Sequence, residues 1–130
     1  MEKACEVRKL SACERMIMKL IWDADGDIPV QELIVRMREC YGKDYARTTM
    51  VTFLKKMSDK GYVSTYRVGR ISFAHAERDA REYERQILKE EIDFWFEGRP
   101  SDLISVLYSG QKLPVEEREN IRKLLDEMAV

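Results

Sequence analysis

The chain has 130 residues, of which 45% are hydrophobic and 36% are charged, with a net charge of −1, a balance that predicts a folded chain that stays in solution. No apolar run approaches the ~18 residues that a membrane-spanning helix needs, and the first ten residues lack the apolar core of a secretory signal. We therefore expect a cytoplasmic protein that does not enter the membrane.

The first two helices are predicted from capping and spacing signals. Ser11 followed by Glu14 forms a capping-box pattern that begins a helix, and "DADGD" ends it. Its apolar side is expected to hold Met16, Ile17, Leu20, Ile21 and Trp22. After a one-residue strand at Ile28, Pro29 opens a second helix that runs to about Cys40.

A third helix is predicted over residues 46–60, where Gly61 stops it. One side carries apolar residues at three- and four-residue spacing, namely Met50, Phe53, Leu54 and Met57. The other side carries Thr48, Thr52, Lys55 and Asp59, with Val51 at its edge. The apolar side should pack on the first two helices. The hydroxyl- and lysine-bearing side is then left facing outward.

Two β-prone runs, 63–67 and 71–75, flank Gly69, which suits a tight turn. We expect a hairpin with Arg67 and Arg70 near its tip. Three helices followed by a two-stranded hairpin is the order of a winged helix-turn-helix.

Residues 77–130 are predicted to form a long helix over 77–97, a short helix over 101–108 and a last helix from about Pro114. Three such helices bury little surface by themselves. We therefore expect their apolar stripes to contact a second copy of the chain; folding back on the winged helix as a monomer is the alternative. The residues assigned to this dimer surface are Tyr83, Ile87, Phe94, Trp95, Leu124, Leu125 and Met128.

The predicted fold class is mainly α, with a winged helix-turn-helix DNA-binding domain over 1–76 and a helical dimerisation region over 77–130. Charge divides in the same way. Residues 1–76 hold 14 Lys/Arg against 10 Asp/Glu, whereas residues 77–130 hold 9 against 14. Within 43–70 there are seven basic residues and two acidic ones, the pattern expected where a protein meets a polyanion.

Catalytic and metal-binding patterns are absent from the sequence. It has no GxSxG, HExxH, Walker or dinucleotide-binding motif, so we do not expect an enzyme. Cys5, Cys13 and Cys40 form no CxxC or CxC pair, and His75 is the only histidine. We therefore expect no metal, no cofactor and no disulfide framework. Redox sensing by one of the thiols is the alternative to three ordinary cysteines.

The outward face of the third helix suits DNA, because the major groove admits one α-helix whose side chains contact base edges and phosphates. Threonines and lysines suit phosphates, Val51 suits a thymine methyl, and Arg47 suits a guanine. The hairpin arginines would contact flanking backbone or a narrow minor groove. The residues assigned to DNA are Arg47, Thr48, Thr49, Val51, Thr52, Lys55, Lys56, Arg67 and Arg70. A winged-helix protein–protein adaptor that binds no DNA is the alternative.

Five segments in order resemble the penicillinase-repressor family, which includes the BlaI, MecI and CopY repressors. They are "LSACERMIMKLIWDADGDIPVQELI", "ARTTMVTFLKKMSDKGYV", "VGRISFAHA", "DFWFEGRPSDLISVL" and "LPVEERENIRKLLDEM", which together extend over about residues 9–128. The resemblance implies a homodimeric repressor that binds a palindromic operator of double-stranded DNA of the TACA/TGTA type. Its recognition helix would run over 47–56 and its wing tip over 67–70, with Gln31 bracing the backbone.

The resemblance also implies a release signal, and here the chain departs from the family's patterns. Copper-responsive members carry CxC motifs near the C-terminus, but this chain has no cysteine after Cys40. β-Lactam-responsive members are cut by a protease at an Asn–Phe bond, where this chain has Val106–Leu107. The predicted order of release mechanisms is proteolysis at this changed site through a protease or sensor protein, then small-molecule or protein control, then thiol chemistry.

Overall fold

The computed structural model describes residues 9–129, so Cys5 lies outside the described residues. The elements run in the order α1 (Ala12–Asp23), β1 (Ile28–Pro29), α2 (Val30–Tyr41), α3 (Arg47–Asp59), β2 (Val63–Val68), β3 (Ile71–Ala76), α4 (Ala80–Phe96), α5 (Pro100–Leu107) and α6 (Val115–Met128). They form two compact units, the first ending at Gln86 and the second beginning at Ile87. In this described part, no helix is both long and apolar enough to cross a membrane.

Local signals set the ends of the first helices. The Ser11 hydroxyl accepts a hydrogen bond from the Glu14 N–H at 3.2 Å, and the Glu14 carboxylate accepts one from the Ser11 N–H at 2.8 Å. The predicted capping box is therefore confirmed. Gly42 ends α2 with a φ of 68°, a left-handed conformation that glycine adopts without steric cost.

The sheet has three strands rather than the two that were predicted. Strand β3 lies in the middle, with β1 and β2 antiparallel to it on either side. Ile28 pairs with Ala74 and Pro29 with Phe73, so the predicted strand stub joins the hairpin as an edge strand. The hairpin closes through Gly69 and Arg70, and the positive φ of 63° at Gly69 accommodates the tight turn.

The hydrophobic core of the first unit lies between α1, α2, α3 and the base of the hairpin. Ile17, Leu20 and Ile21 on α1 and Met50, Leu54 and Met57 on α3 are buried as predicted, whereas on α1 Met18 is buried and the predicted Met16 and Trp22 are half-buried. Tyr62 and Val63 join this core where the chain enters β2. The buried hydrophobic residues are Leu10, Ile17, Met18, Leu20, Ile21, Ile28, Val30, Leu33, Ile34, Met37, Met50, Leu54, Met57, Tyr62, Val63 and Ala74.

The first turn of α4 packs on this core through Tyr83. Its ring centroid lies 5.4 Å from that of Trp22 and 5.5 Å from that of Tyr62. The Trp22 Nε1 donates a hydrogen bond to the Arg78 carbonyl at 2.9 Å. The first unit therefore extends past residue 76, the predicted domain boundary, to Gln86. The second unit contains the rest of α4 with α5 and α6, and none of the side chains of these three helices is fully buried.

A buried ion pair joins the first turn of α1 to the C-terminal end of α3. Glu14 is 2% exposed, and the Lys60 Nζ donates to its Oε1 at 2.6 Å and to the Lys9 carbonyl at 3.0 Å. Burial raises the pKa of Glu14, but the hydrogen bonds from Lys60 and from the Ser11 N–H outweigh this effect and hold the pKa below its usual 4.5. The carboxylate is therefore charged at neutral pH and keeps Lys60 in place.

A single carboxylate ties the hairpin to the turn that precedes β1. Asp27 accepts a hydrogen bond from the Tyr66 hydroxyl at 2.6 Å and lies 2.8 Å from the His75 Nδ1. The Tyr66 ring stacks on Phe73 across the hairpin, with centroids 5.4 Å apart. The hydrogen bond with Asp27 raises the pKa of His75 above 6.5, and the one from Tyr66 lowers the pKa of Asp27 below 3.8. The hairpin is held best where Asp27 is charged and His75 is protonated.

Replacing Lys60 with methionine should lower the free energy of unfolding by about 1–3 kcal/mol near neutral pH, because the buried Glu14 carboxylate loses its cation. The pKa of Glu14 is lowered, so this contribution is present above pH 4.5 and is lost as the pH falls through the folded-state pKa. Urea denaturation at neutral and acid pH measures both effects. The control is Lys19→Met, since the Lys19–Asp23 pair is exposed on both sides and should contribute no more than about 0.5 kcal/mol. Equal effects of the two substitutions at neutral pH would contradict this account.

The pKa of His75 should lie above 6.5 in the folded chain and return toward 6.5 in Asp27→Asn. The attraction between the imidazolium and Asp27 is fully present below pH 6.5 and is lost as the pH rises through the raised pKa. Because His75 is the only histidine, an NMR titration of its imidazole signals measures this pKa directly. Asp25→Asn removes a neighbouring exposed carboxylate and should leave the titration unchanged. A His75 pKa in the wild type that is equal to or below the His75 pKa in Asp27→Asn would contradict the proposed contact with Asp27.

Candidate nucleic-acid interface

Helix α3 has one buried and one exposed side. Met50, Leu54 and Met57 are fully buried, and the half-buried Phe53 packs on Tyr45 with ring centroids 5.3 Å apart. The opposite side exposes Thr48, Thr52, Lys55 and Asp59. The structure therefore places the hydroxyl- and lysine-bearing side of α3 on the surface of the first unit.

Thr52 makes a contact that changes what its side chain can offer a partner. Its Oγ1 donates a hydrogen bond to the Thr48 carbonyl at 2.9 Å, within the helix. A phosphate oxygen needs a donor, and a hydroxyl has only one proton to donate. In this state, Thr52 offers an outside partner its methyl group and its oxygen lone pairs. Val51, which is 48% exposed, adds a second apolar group to this part of the surface.

The residues assigned to DNA on α3 divide into a central and a flanking group. Thr49 and Lys56 are three or four positions from Phe53, and residues at that spacing lie along one side of a helix. They are exposed, but they lie on the flank where Phe53 packs rather than at the centre of the outward side. Arg47, also exposed, is the first residue of the helix.

A groove of about 440 Å³ lies between α3 and β2. Its walls include Val51, Lys55 and Asp59 on the helix and Tyr66 and Arg67 on the strand. The structure thus brings the cations of Lys55 and Arg67 to one concave surface. Arg70 does not line this groove, because it lies farther out in the turn of the hairpin.

The sequence analysis did not assign Tyr66 to this surface, nor Asp27 as the hydrogen-bond partner of Tyr66. Tyr66 lines the groove, and its hydrogen bond to Asp27 raises the pKa of the Tyr66 hydroxyl, so Tyr66 stays neutral. Strand alternation places Tyr66 and His75 on one face of the hairpin, a signal that the sequence contains. Asp27 could be matched to them only with the knowledge that β1 pairs with β3.

The predicted dimer residues lie in both units. Tyr83 packs in the first unit, and Ile87 is half-buried. Large apolar side chains on α4 and α6 are exposed, with Phe94 at 74% and Met128 at 69%. The exposed set continues through Trp95, Leu124 and Leu125. These large apolar side chains are uncovered in the single chain.

The predicted cleavage pair and the described cysteines have defined surroundings. Val106 and Leu107 are exposed at the C-terminal end of α5, and cleavage between them stays a prediction. The Cys13 Sγ accepts a hydrogen bond from the Tyr45 hydroxyl at 3.1 Å, whereas Cys40 is exposed at the end of α2.

The fold is similar to those of several solved structures. The DNA-binding domain of the repressor BlaI aligns with a TM-score of 0.50 and 24% identity, over 64% of this chain and 94% of that chain. A complex structure of hsRosR-S4 aligns with a TM-score of 0.54 and 11% identity, over 97% of this chain and 95% of that chain. Bacillus licheniformis BlaI, solved as a monomer with the blaP half-operator, aligns with a TM-score of 0.48 and 23% identity, over 60% of this chain and 92% of that chain.

The similarity to the BlaI DNA-binding domain shows a shared fold and confirms the predicted winged helix-turn-helix. Comparison with the curated proteins gives no match. The family model for the penicillinase repressor matches residues 10–127. Because this match extends over both units and nearly the whole chain, the chain belongs to the penicillinase repressor family.

Proposed function

We propose that this chain is a homodimeric transcriptional repressor that binds a palindromic operator with α3 in the major groove and the hairpin on the flanking backbone. DNA binding and repression accord with its family. The dimer, the operator symmetry and the individual contacts are the finer parts of the proposal. The observation that carries it is the exposed side of α3, where threonine and lysine side chains lie opposite a fully buried apolar side.

The central group on α3 would contact bases and phosphates in different ways. The Thr52 methyl and Val51 suit thymine methyl groups, because the Thr52 proton is already donated within the helix. The Lys55 ammonium suits a phosphate. Arg47, at the start of the helix, has the planar donors that pair with guanine.

The hairpin would add contacts on either side of the major groove. Arg67 shares the groove wall with Lys55, so the two cations suit the phosphates that border one recognition helix. Arg70 extends from the turn, where it would meet the flanking backbone or a narrow minor groove. Asp27 supports these contacts indirectly, because its hydrogen bond fixes the side chain of Tyr66, the residue that precedes Arg67 in the strand.

A dimer would cover the exposed apolar surface of α4 and α6 and bring two recognition helices to one operator. Half-sites of a palindrome lie about one DNA turn, roughly 34 Å, apart. A twofold axis repeats the same apolar patch on both copies, so each exposed side chain is buried twice. Phe94, Leu125 and Met128 supply this kind of surface.

Release from the operator would follow from loss of the dimer. Cleavage between Val106 and Leu107 is the leading prediction, and both side chains are exposed. A cut there would separate α6 from α4 in the chain. Each half would then bind without the avidity of paired half-sites.

Substitutions on the exposed side of α3 should weaken operator binding. Thr52→Ala should weaken operator binding by about 1 kcal/mol, because it removes the methyl group that would meet a thymine methyl. Lys55→Ala should weaken binding to all sequences alike. It should also reduce the slope of log affinity against log salt concentration by the contribution of about one phosphate contact. Fluorescence anisotropy with operator and scrambled duplexes at several salt concentrations separates the two effects.

The control is Lys19→Ala, which removes an exposed lysine on α1. Unchanged DNA affinity in the Thr48/Thr52/Lys55 triple alanine variant would contradict the placement of α3 and favour the protein-binding adaptor.

An aspartate at Leu125 should dissociate the dimer. Burying a leucine side chain contributes about 1.5–3 kcal/mol. Because a twofold dimer buries Leu125 in both copies, the substitution removes this contribution twice. Sedimentation equilibrium at micromolar concentration should show a wild-type dimer and a Leu125→Asp monomer. Lys123→Asp places the same charge on a polar position of α6 and should remain dimeric. A monomeric wild type would refute the dimer, while its DNA binding would still be measurable.

A further inference from the structure

A second groove lies on the first unit, and none of its lining residues belongs to α3 or the hairpin. Its volume is about 540 Å³. One face of α1, the C-terminal end of α2 and the first turn of α4 form its walls. The volume falls in the range of roughly 300–1,000 Å³ that is typical of small-molecule sites in proteins.

The walls of this groove are mainly aromatic and apolar. Trp22, Tyr41 and Tyr83 line it together with Met16 and Leu10. The one polar atom of the Trp22 side chain already donates to a backbone carbonyl, and the Trp22 ring lies 5.4 Å from the Tyr83 ring. The indole is therefore held in place, and the part of its ring that lines the groove suits a flat aromatic ligand.

The charge at the rim of the groove is positive. Arg15 and Lys19 are one helical turn apart on α1, and Glu84 is the acidic group in the lining. Glu84 pairs with Arg81 at 3.2 Å, and Lys19 pairs with Asp23 at 3.4 Å. Arg15 forms no ion pair with any residue in 9–129. Among the described residues, this arginine, which can bind both oxygens of a carboxylate, is thus left for a ligand.

We propose that this groove binds a small aromatic carboxylate, with its ring against Trp22 and Tyr83 and its carboxylate on Arg15. Such a ligand would contact the first turn of α4, the helix that continues into the apolar surface proposed for the dimer. A ligand whose affinity differs between the free and the DNA-bound chain would act as an effector of DNA binding. This effector role, unlike the binding itself, rests on the proposed function.

The binding site is tested on the full chain without DNA, using 3-phenylpropionate and its uncharged amide as probes. An NMR titration follows the Trp22 indole N–H, identified by its loss in Trp22→Phe. The carboxylate should bind with a dissociation constant on the order of 1 mM or below, the range for a ligand of this size, and the amide more weakly. Arg15→Gln should weaken carboxylate binding about fivefold or more and leave the amide unchanged. Arg36→Gln, an equal change outside the groove, should alter neither.

No shift of the Trp22 signal with either probe would overturn the proposed binding site. Equal binding of the acid and the amide, or equal carboxylate binding by the wild type and Arg15→Gln, would overturn the carboxylate class.

Operator affinity with saturating 3-phenylpropionate tests the effector role. It should change threefold or more in the wild type and stay constant in Arg15→Gln. Ligand binding with unchanged operator affinity overturns the effector role alone, whereas absence of any operator binding overturns the proposed function and leaves the NMR result standing.

Discussion

The burial of one side of α3 is the interaction on which the rest of the first unit depends. Met50, Leu54 and Met57 are fully enclosed, and each contributes on the order of 1.5–3 kcal/mol by leaving water. Turning the helix by one residue would expose part of this side and bury threonine hydroxyls without new partners. The packing that stabilises α3 therefore also sets which side chains face outward. The buried Glu14–Lys60 pair holds the C-terminal end of α3 against α1.

Two further anchors position the elements around α3. The Asp27 carboxylate connects the turn before β1 to Tyr66 and His75 in the hairpin, next to the groove that contains Lys55 and Arg67. On α1, Trp22 holds the segment leading into α4 through a hydrogen bond to the Arg78 carbonyl. Both anchors use one polar group with defined partners, and each lies where two elements of the fold meet. The hairpin and the start of α4 are thus fixed by side-chain hydrogen bonds to other elements, in addition to their own backbone hydrogen bonds.

Features set by local periodicity could be predicted from the sequence. The capping box at Ser11 and the apolar side of α3 depend on residues within a few positions of one another. Features set by distant partners could not. Pairing of Ile28 with Ala74 made the sheet three-stranded. Tyr83 fitted an amphipathic stripe along α4, yet its ring packs on Trp22, so the first unit extends beyond the predicted boundary. The outward side of Thr52 was predicted, but the proton donated to the Thr48 carbonyl was not, because a rotamer is not visible in spacing.

Selection of bound sequences from random DNA duplexes by the full-length protein tests the central claim most directly. Two copies of α3 in successive major grooves predict an enriched palindrome whose half-sites lie about one helical turn, roughly 10 base pairs, apart. Thymine should be enriched where the Thr52 methyl and Val51 meet the bases. Enrichment of a single asymmetric site, or no enrichment over the starting pool, would contradict sequence-specific binding by a symmetric pair of recognition helices.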